Sequence, residues 1–282
     1  MEKIPHPKAL PVWYSFVASF AFLPMAAILI ACWLAGTAKL GAVECQGFAR
    51  AYLLSYPRSA IVAVKEPLQW KKTDWLKAGG VILISGALYL ADEEIRDFIH
   101  NNQSEELHAA ADVARQFGEI SYLLPASGLT ALAGYAFHDP KTADTGFLAL
   151  KALLIAGATT RSLQLLTQRQ RPFQEQGHEF WNGRGIKWDR DSFPSGHSTV
   201  AWTVAPILAY QYSHHAWVAP VVYSLATLTS LSRIYEDKHW SSDVFAGAVV
   251  GMLAARLTLI STPRLSVVPC VVQPGISLIY TF

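Results

Sequence analysis

Hydrophobic positions along the chain fall into apolar runs separated by polar stretches, and most of the runs are longer than a typical strand. The first, from Val12 to Ala35, is long enough to cross a lipid bilayer. Six further runs follow it, at about residues 78–91, 120–137, 146–166, 198–212, 216–231 and 243–260. Several are shorter than a usual span, and the GxxxG spacing of Gly247 and Gly251 permits close helix contact. The pattern predicts an all-α fold, a multi-helix transmembrane bundle.

The first run has two readings that the sequence leaves open. It is either a retained membrane span or the apolar part of a signal peptide that ends near residue 38. Residues 39–74 form a mixed, basic segment, and Trp70 and Trp75 near its end suit a membrane interface. The predicted organisation is an N-terminal hydrophobic segment over 1–38, a basic interfacial segment over 39–74, a helical core over 75–260 and a tail over 261–282.

Two segments depart from the apolar pattern. Asp92–Glu119 is polar and acidic with helical spacing, which predicts an amphipathic or surface helix. In the tail, Pro263, Pro269 and Pro274 exclude a long helix. The two hydrophobic stretches of the tail are therefore predicted to be extended segments that pack on the helices.

Composition limits the partners and cofactors that the chain can use. Hydrophobic residues make up 52% of the chain and charged residues only 16%, which fits a protein partly dissolved in lipid and not a disordered one. The net charge of +2, without a cluster of Lys and Arg, provides no strong field for nucleic acid. The three cysteines are far apart and have neither a disulfide nor a metal-binding spacing. The sequence predicts no nucleic-acid partner, no metal and no cofactor.

Candidate chemistry lies in three polar clusters at the ends of apolar helices. In the first cluster, Arg161, Gln164, Gln168 and Arg171 follow a 3-4-3 spacing, which predicts that they share one helix face. Pro172 is predicted to end or bend that helix. These four polar side chains are consistent with a functional site. They are also consistent with a membrane interface, where long polar side chains extend toward water.

The second cluster, Phe193–Ser198, stands directly before an apolar helix. Free backbone N–H groups and the dipole at the start of a helix favour an anion. Gly196 allows the backbone to approach a ligand closely. The alternative is an ordinary helix cap that has a histidine, His197, beside it by chance.

In the third cluster, Arg233 closes one helix and His239 opens the next, four residues before Asp243. This spacing predicts a hydrogen bond between Asp243 and one ring nitrogen of His239. The bond would fix the tautomer and leave the other nitrogen free to attack. The alternative is a His/Asp pair that only caps a helix, and the presence of all three clusters in one chain disfavours it.

The three clusters resemble, in order and spacing, the motifs of the type 2 phosphatidic acid phosphatase (PAP2) superfamily, which also includes vanadium haloperoxidases and bacterial class A acid phosphatases. The family pattern is Lys, six residues, Arg-Pro; then Pro-Ser-Gly-His; then Ser-Arg, five residues, His, two residues, Ser-Asp. The second motif matches fully at 194–197, and the third matches fully from Ser232 to Asp243. The first matches at Arg171-Pro172, but Gln164 stands at the lysine position. The resemblance covers about residues 75–260 and implies the six-helix core of the family.

The resemblance also implies a role for each matched residue. His239 would be the nucleophile that forms a phosphohistidine, Asp243 would orient it, and His197 would be the general acid. The phosphate would be bound by residues of all three motifs, namely Arg171, Arg233, Ser195, Gly196 and, at the lysine position, Gln164. No metal is required, because arginines and amides supply the positive field.

The missing lysine is the main departure from the family pattern. Gln164 can donate a hydrogen bond but carries no charge, and one lost contact of this kind would cost about 2–4 kcal/mol of transition-state stabilisation. We hypothesise that Arg161, one turn earlier on the same helix face, or Arg169 partly replaces that charge.

In functional terms, the resemblance implies hydrolysis of a membrane lipid phosphate of the phosphatidate, isoprenyl diphosphate or lipid A type. Two alternatives stay open: a vanadate-dependent haloperoxidase, in which His239 would be a ligand, and a degenerate member that binds phospholipid with little turnover. The predicted partners are the lipid substrate and the bilayer. The predicted location is the bacterial inner membrane with the site facing the periplasm, and the sequence leaves the oligomeric state open.

Overall fold

The apolar runs of the core form α-helices in the computed structural model, which describes residues 42–185 and 191–262, with side chains from Tyr52 onward. In chain order the helices are α1 (Ala42–Lys65), α2 (Lys72–Leu90), α3 (Asp92–His100), α4 (Glu105–Gln116), α5 (Ile120–Ala136), α6 (Pro140–Thr167), α7 (Gly196–Gln211), α8 (Val218–Tyr235) and α9 (Ser241–Ser261). Two 3₁₀ turns, Glu66–Gln69 and Pro172–Gln174, lie between them. The described ranges contain no β-strand, so the all-α prediction is confirmed there.

Several predictions fall on residues that the structure does not describe. The apolar run between Val12 and Ala35, with its two readings, is one of them, and the extended segments of the tail are another. Both remain predictions. The chain divides into two units after Gln46, and the helices from α2 onward belong to the second unit.

Fewer helices qualify as membrane spans than the six core runs suggest. Among the described residues, α6 and α9 are long and apolar enough to cross a bilayer, and α2 with α3 passes as a pair that is bent by 55°. Helix α7 has 16 residues, which is about 24 Å at the usual helical rise and short of a hydrocarbon core of about 30 Å. The shorter helices therefore pack among the candidate spans.

The polar stretch 92–119 forms two helices instead of one. Helix α3 ends at His100, and Ser104 starts α4 by accepting a hydrogen bond on its Oγ from the N–H of Leu107, at 3.2 Å. Asp92, the first residue of α3, is only 1% exposed. The stretch is therefore part of the packed structure at its first residue, which fits the amphipathic alternative of the prediction, while the single helix that the spacing predicts is wrong.

Helix α7 packs against α6, α8 and α9. The GxxxG pair of α9 makes one of these contacts close, as its spacing predicts. A Cβ atom added at Gly247 would lie 2.5 Å from the carbonyl oxygen of Ser195, and one added at Gly251 would lie 2.5 Å from that of Thr199. Because neither position has room for a side chain, the two glycines hold the start of α9 against the start of α7.

The buried side chains along α7 are polar at the start of the helix and mostly apolar further along. At its start, Ser198 donates from Oγ to the carbonyl oxygen of Val244 in α9, at 2.8 Å. Further along α7, Ile207 is fully buried and packs with Ala149, Ala152 and Ala255. One group of buried polar side chains thus lies at the starts of α7 and α9, where the predicted site residues are, and a second surrounds Lys151 at the end of α9.

Candidate active site

Hydrogen bonds tie the three motif segments together. Gln164 of α6 donates from Nε2 to the carbonyl oxygen of Pro194 at 3.1 Å, which joins the first segment to the second. The backbone N–H of Ser195 donates to the carbonyl oxygen of Asp243 at 3.0 Å, which joins the second segment to the third. Segments far apart in sequence therefore meet at one place.

The first segment does not have the local structure that its spacing predicts. Helix α6 ends at Thr167, and Gln168 adopts a left-handed conformation with φ of 47°. Arg171 therefore lies beyond the helix and does not share a helical face with Gln164, so the prediction of one shared face is wrong for Arg171. Pro172 begins a 3₁₀ turn five residues after α6 has ended. The helix therefore ends earlier than the position of Pro172 alone predicts.

His239 lies buried directly before α9. Its Nδ1 is 2.8 Å from the carbonyl oxygen of Ser192, and Nε2 has no hydrogen-bond partner among the described residues. Burial, together with the positive charges of Arg171 and Arg233, holds the pKa of His239 well below its ordinary value of 6.5. The imidazole is therefore neutral at neutral pH, with a proton on Nδ1 and a lone pair on Nε2.

The predicted hydrogen bond between Asp243 and His239 is wrong. Helix α9 begins at Ser241, so His239 is not on the helix and the spacing of four does not bring the two side chains together. The carboxylate of Asp243 instead accepts from the N–H of Trp240 at 3.0 Å and from Oγ of Ser192. Ser192 thus links the two residues, because its hydroxyl contacts Asp243 and its carbonyl contacts His239.

Arg169 is fully buried in an ion-pair network that the sequence does not reveal. Its guanidinium donates to Asp92 from Nη2 at 2.8 Å and to Asp243 from Nη1. The rings of Tyr89, Trp181 and Trp240 lie within 5.5 Å of it. Arg169 therefore cannot reach a phosphate as a substitute for the missing lysine, and that part of the hypothesis is wrong. Its charge instead holds Asp243, and through Ser192 the ring of His239, in place.

Replacing Asp92 with alanine should destabilise the protein by about 3 kcal/mol, because it leaves the buried Arg169 with one carboxylate instead of two. The hydroxyl groups of Ser241 and Ser242 would also lose their acceptor. Asp97→Ala is a matched control, since Asp97 is exposed on the same helix and its loss should cost less than about 0.5 kcal/mol. Thermal unfolding of both variants in detergent measures the difference, and equal stabilities would contradict a structural role for Asp92.

Several polar groups at the site are buried and have no partner. Among the described residues, Nε and Nη1 of Arg233 and Oγ of Ser195 are buried without a hydrogen bond. Only Nη2 of Arg233 is engaged, with Glu236 at 2.9 Å. Unpaired buried donors are costly, so their convergence on one place indicates that they receive an acceptor from a ligand. The first turn of α7 is open beside them, since a Cβ added at Gly196 meets nothing within 4 Å.

Arg171 and Arg161 converge on a single carboxylate. Arg171 donates to Oδ1 of Asp191 from Nε at 3.0 Å and from Nη2 at 2.8 Å. Arg161 lies 3.8 Å from the same carboxylate and donates to Oε1 of Gln164 at 3.3 Å. Arg161 therefore adjoins the position where the family has its lysine, and its predicted compensating role stays a prediction.

His197 occupies the first turn of α7, and its charge acts on His239. Its Nε2 is 3.2 Å from a carboxylate oxygen of Glu119, the residue that precedes α5. The segments that carry the two imidazoles meet, because the N–H of Ser195 donates to the carbonyl oxygen of Asp243 and the N–H of His239 donates to that of Arg233. Sequence reasoning missed three residues that hold the site together, namely Asp92, Glu119 and Ser192, and it gave Arg169 a different role. The one available signal was Asp92, a carboxylate directly after an apolar run.

The described residues include no group of three or more His, Cys, Asp or Glu side chains that could hold a metal ion.

Comparison with known proteins gives matches to one family. Residues 145–266 match the model of the PAP2 superfamily. The chain is 40% identical over 68 residues to the lipid A 1-phosphatase of Porphyromonas gingivalis, covering 24% of this chain and 15% of that protein. It is 31% identical over 134 residues to lipid phosphate phosphatase 1 of Arabidopsis thaliana, covering 38% of this chain and 41% of that protein. The chain therefore spans less than half the length of either relative.

A solved structure is also similar. The crystal structure of a transmembrane PAP2 type phosphatidylglycerolphosphate phosphatase from Bacillus subtilis matches with a TM-score of 0.51 and 26% identity, covering 64% of this chain and 92% of that one. Over residues 145–266 the chain is thus similar to proteins of the PAP2 superfamily, in motif order, in the match of the family model and in this likeness. Its candidate spans and the transmembrane relative make it a helical integral membrane protein.

Proposed function

We propose that the protein is a phosphatase that removes phosphate from a membrane lipid phosphate or diphosphate through a phosphohistidine on His239. The observation that carries this proposal is the set of unpaired donors, Nε and Nη1 of Arg233 and Oγ of Ser195, buried beside a neutral histidine. A phosphoryl group has three peripheral oxygens that can accept such donors. Catalysis of phosphoryl transfer consists mostly of positioning and charge stabilisation, which this arrangement supplies.

In the first step, Nε2 of His239 attacks the phosphorus atom and the bond from phosphorus to the lipid oxygen breaks. His197 gives its proton to the leaving oxygen, so that the lipid departs as an alcohol, or as a monophosphate when the substrate is a diphosphate. Arg171, Arg233, Ser195 and the first N–H groups of α7 hold the phosphoryl oxygens. The carboxylate of Asp191, which pairs with Arg171 in the structure, gives way to the phosphate.

In the second step, water attacks the phosphorus atom of the phosphohistidine and loses a proton to His197. The bond between phosphorus and Nε2 breaks, which releases inorganic phosphate and restores the neutral His239. Asp243 acts at a distance in both steps, since it fixes Ser192 and thereby keeps Nδ1–H of His239 on a carbonyl oxygen. Gln164 contributes by holding the carbonyl of Pro194, and Arg161 supplies positive charge at the position of the family lysine. No step requires a metal ion.

A lipid substrate is supported by the membrane character of the chain and by its relatives, which are named for lipid A, lipid phosphate and phosphatidylglycerolphosphate. Helix α2 starts beside the basic segment and ends next to Asp92, which contacts the start of α9. If the basic segment is cytoplasmic, the site faces the periplasm of a bacterial inner membrane. Labelling of a cysteine introduced at Glu94 with an impermeant reagent in intact cells tests this side.

The activity is tested by a screen for phosphate release with the purified protein in detergent. The panel contains phosphatidate, phosphatidylglycerolphosphate, an isoprenyl diphosphate and lipid A phosphates, each with and without EDTA. We expect release from at least one of these lipids at a rate that EDTA does not change. Binding of vanadate or phosphate without release from any lipid would contradict phosphatase activity, and loss of release with EDTA would contradict the metal-independent mechanism.

A further inference from the structure

The carboxylate of Glu119 contacts the proposed general acid from outside the three motifs. Its Oε2 is 3.2 Å from Nε2 of His197, although the two residues are 78 positions apart. Both side chains are partly buried, with 28% of His197 and 29% of Glu119 exposed. Glu119 also lies outside residues 145–266, the region that matches the family model. Nothing in the motif pattern therefore assigns it a role.

The fold holds this contact in place from two directions. Glu119 starts helix α5, and its Oε1 accepts a hydrogen bond from Oγ of Ser121 at 3.1 Å, which leaves Oε2 for His197. The preceding residue, Gly118, presses against α7, since a Cβ added there would lie 2.5 Å from the carbonyl oxygen of His197. Only glycine permits this approach. The turn between α4 and α5 therefore places the carboxylate of Glu119 beside His197 in the first turn of α7.

We propose that Glu119 is a positioning residue for the reaction, holding Nε2–H of His197 so that Nδ1–H is the group that protonates the leaving oxygen. This inference rests on the proposed function. An imidazole with a carboxylate on one ring nitrogen has a fixed ring orientation, and its protonated form is favoured. The other nitrogen is then left for the substrate. Glu119 thus supplies His197 with the carboxylate contact that Asp243 does not supply to His239.

The charges around His197 act in opposite directions, which makes the role of Glu119 measurable. The pKa of His197 is below its ordinary value, because burial, Arg233 from α8 and Arg115 from α4 disfavour a positive charge on the ring, and His239 lies nearby. Glu119 favours that charge and is ionised, because the charge of His197 and hydrogen bonds from Ser121 outweigh burial and lower its pKa. Without Glu119, His197 would lose its proton at a lower pH, so fewer molecules would carry the protonated ring at neutral pH.

The test compares Glu119→Gln with Glu106→Gln, a control that removes an exposed carboxylate from the neighbouring helix α4. For Glu119→Gln we expect kcat/KM on a lipid phosphate to fall about tenfold at neutral pH, a part of the whole effect of a general acid. The alkaline limb of its pH profile should move to lower pH. On p-nitrophenyl phosphate, whose leaving group needs no proton, the loss should be less than about twofold. Glu106→Gln should leave both rates and the profile unchanged.

Three results would overturn the role of Glu119. These are an unchanged pH profile, an equal loss on both substrates, and a Glu119→Gln effect that persists in a His197→Ala background, where a residue acting through His197 has nothing left to act on. An NMR titration of His197 reports on the pair without any turnover, and an unchanged titration in Glu119→Gln would overturn the pairing itself. Absence of phosphate release by the unaltered protein would instead overturn the proposed function, and the titration would still show whether Glu119 acts on His197.

Discussion

We expect His239→Ala to abolish phosphate release, with kcat/KM at least about 10⁴-fold below that of the unaltered protein. The expected size of the loss follows from removal of a covalent nucleophile. In other enzymes, removing the nucleophile alone eliminates about as much of the rate as removing all of the catalytic residues together. In this chain no other described group can replace it, since the nearby His197 is engaged with Glu119. Phosphate release from the preferred lipid measures the loss.

His214→Ala is the matched control for this variant. His214 is an exposed histidine in the turn between α7 and α8, and its removal should change kcat/KM by less than twofold, roughly the scatter of surface substitutions. Retention of the helical circular dichroism by both variants would separate chemistry from folding. A His239→Ala protein that keeps more than a tenth of the activity would contradict covalent catalysis.

Arg233→Ala has the second largest expected effect, a fall in kcat/KM of about 10³-fold or more. An arginine that stabilises the transferred phosphoryl group is worth about 10³–10⁵ in rate, and two of the donor atoms of Arg233 are buried without another acceptor. Arg233→Lys should recover only part of the loss, because an ammonium keeps the charge but not the planar pair of donors. The affinity for vanadate should be highest in the unaltered protein, lower in Arg233→Lys and lowest in Arg233→Ala.

Arg256→Ala provides the control for the arginine. Arg256 is on α9 beyond the site, 64% exposed, and paired weakly with Glu66 at 3.6 Å. Its loss should leave kcat/KM and vanadate binding unchanged. If Arg233→Ala retained the vanadate affinity of the unaltered protein, the anion would not be bound by the donors that we assign to it.

The sequence predicts the helices well because their signal is local. Apolar runs of the right length mark α5 and α7 to α9 to within four residues, whereas α6 begins at Pro140, six residues before its run. The glycine spacing of Gly247 and Gly251 predicts a close helix contact, which the structure shows between α7 and α9. The predicted helix boundaries are wrong where capping and turn geometry decide where a helix begins or ends. Gln168 reverses the chain before Arg171, and α9 starts two residues after His239. Each of these shifts breaks a spacing rule that assumes a continuous helix.

For the candidate site, the sequence proposes members but not their connections. Motif order singles out His239, His197 and Arg233, and their roles stay predictions. The residues that hold them in place come from distant segments, as in the pairs of Asp92 with Arg169 and of Glu119 with His197, which span 77 and 78 positions. A pairing over such a distance leaves no periodic pattern in one sequence, so only the packed helices reveal it.

The central claim is that a phosphoryl group is transferred to Nε2 of His239. Rapid mixing with a lipid substrate labelled in its phosphate, followed by quenching in alkali and mass spectrometry of the peptides, tests it directly. Phosphate attached to His239, stable in alkali and lost in acid, is the predicted result. Turnover with no label on His239, or with the label on another residue, would contradict it.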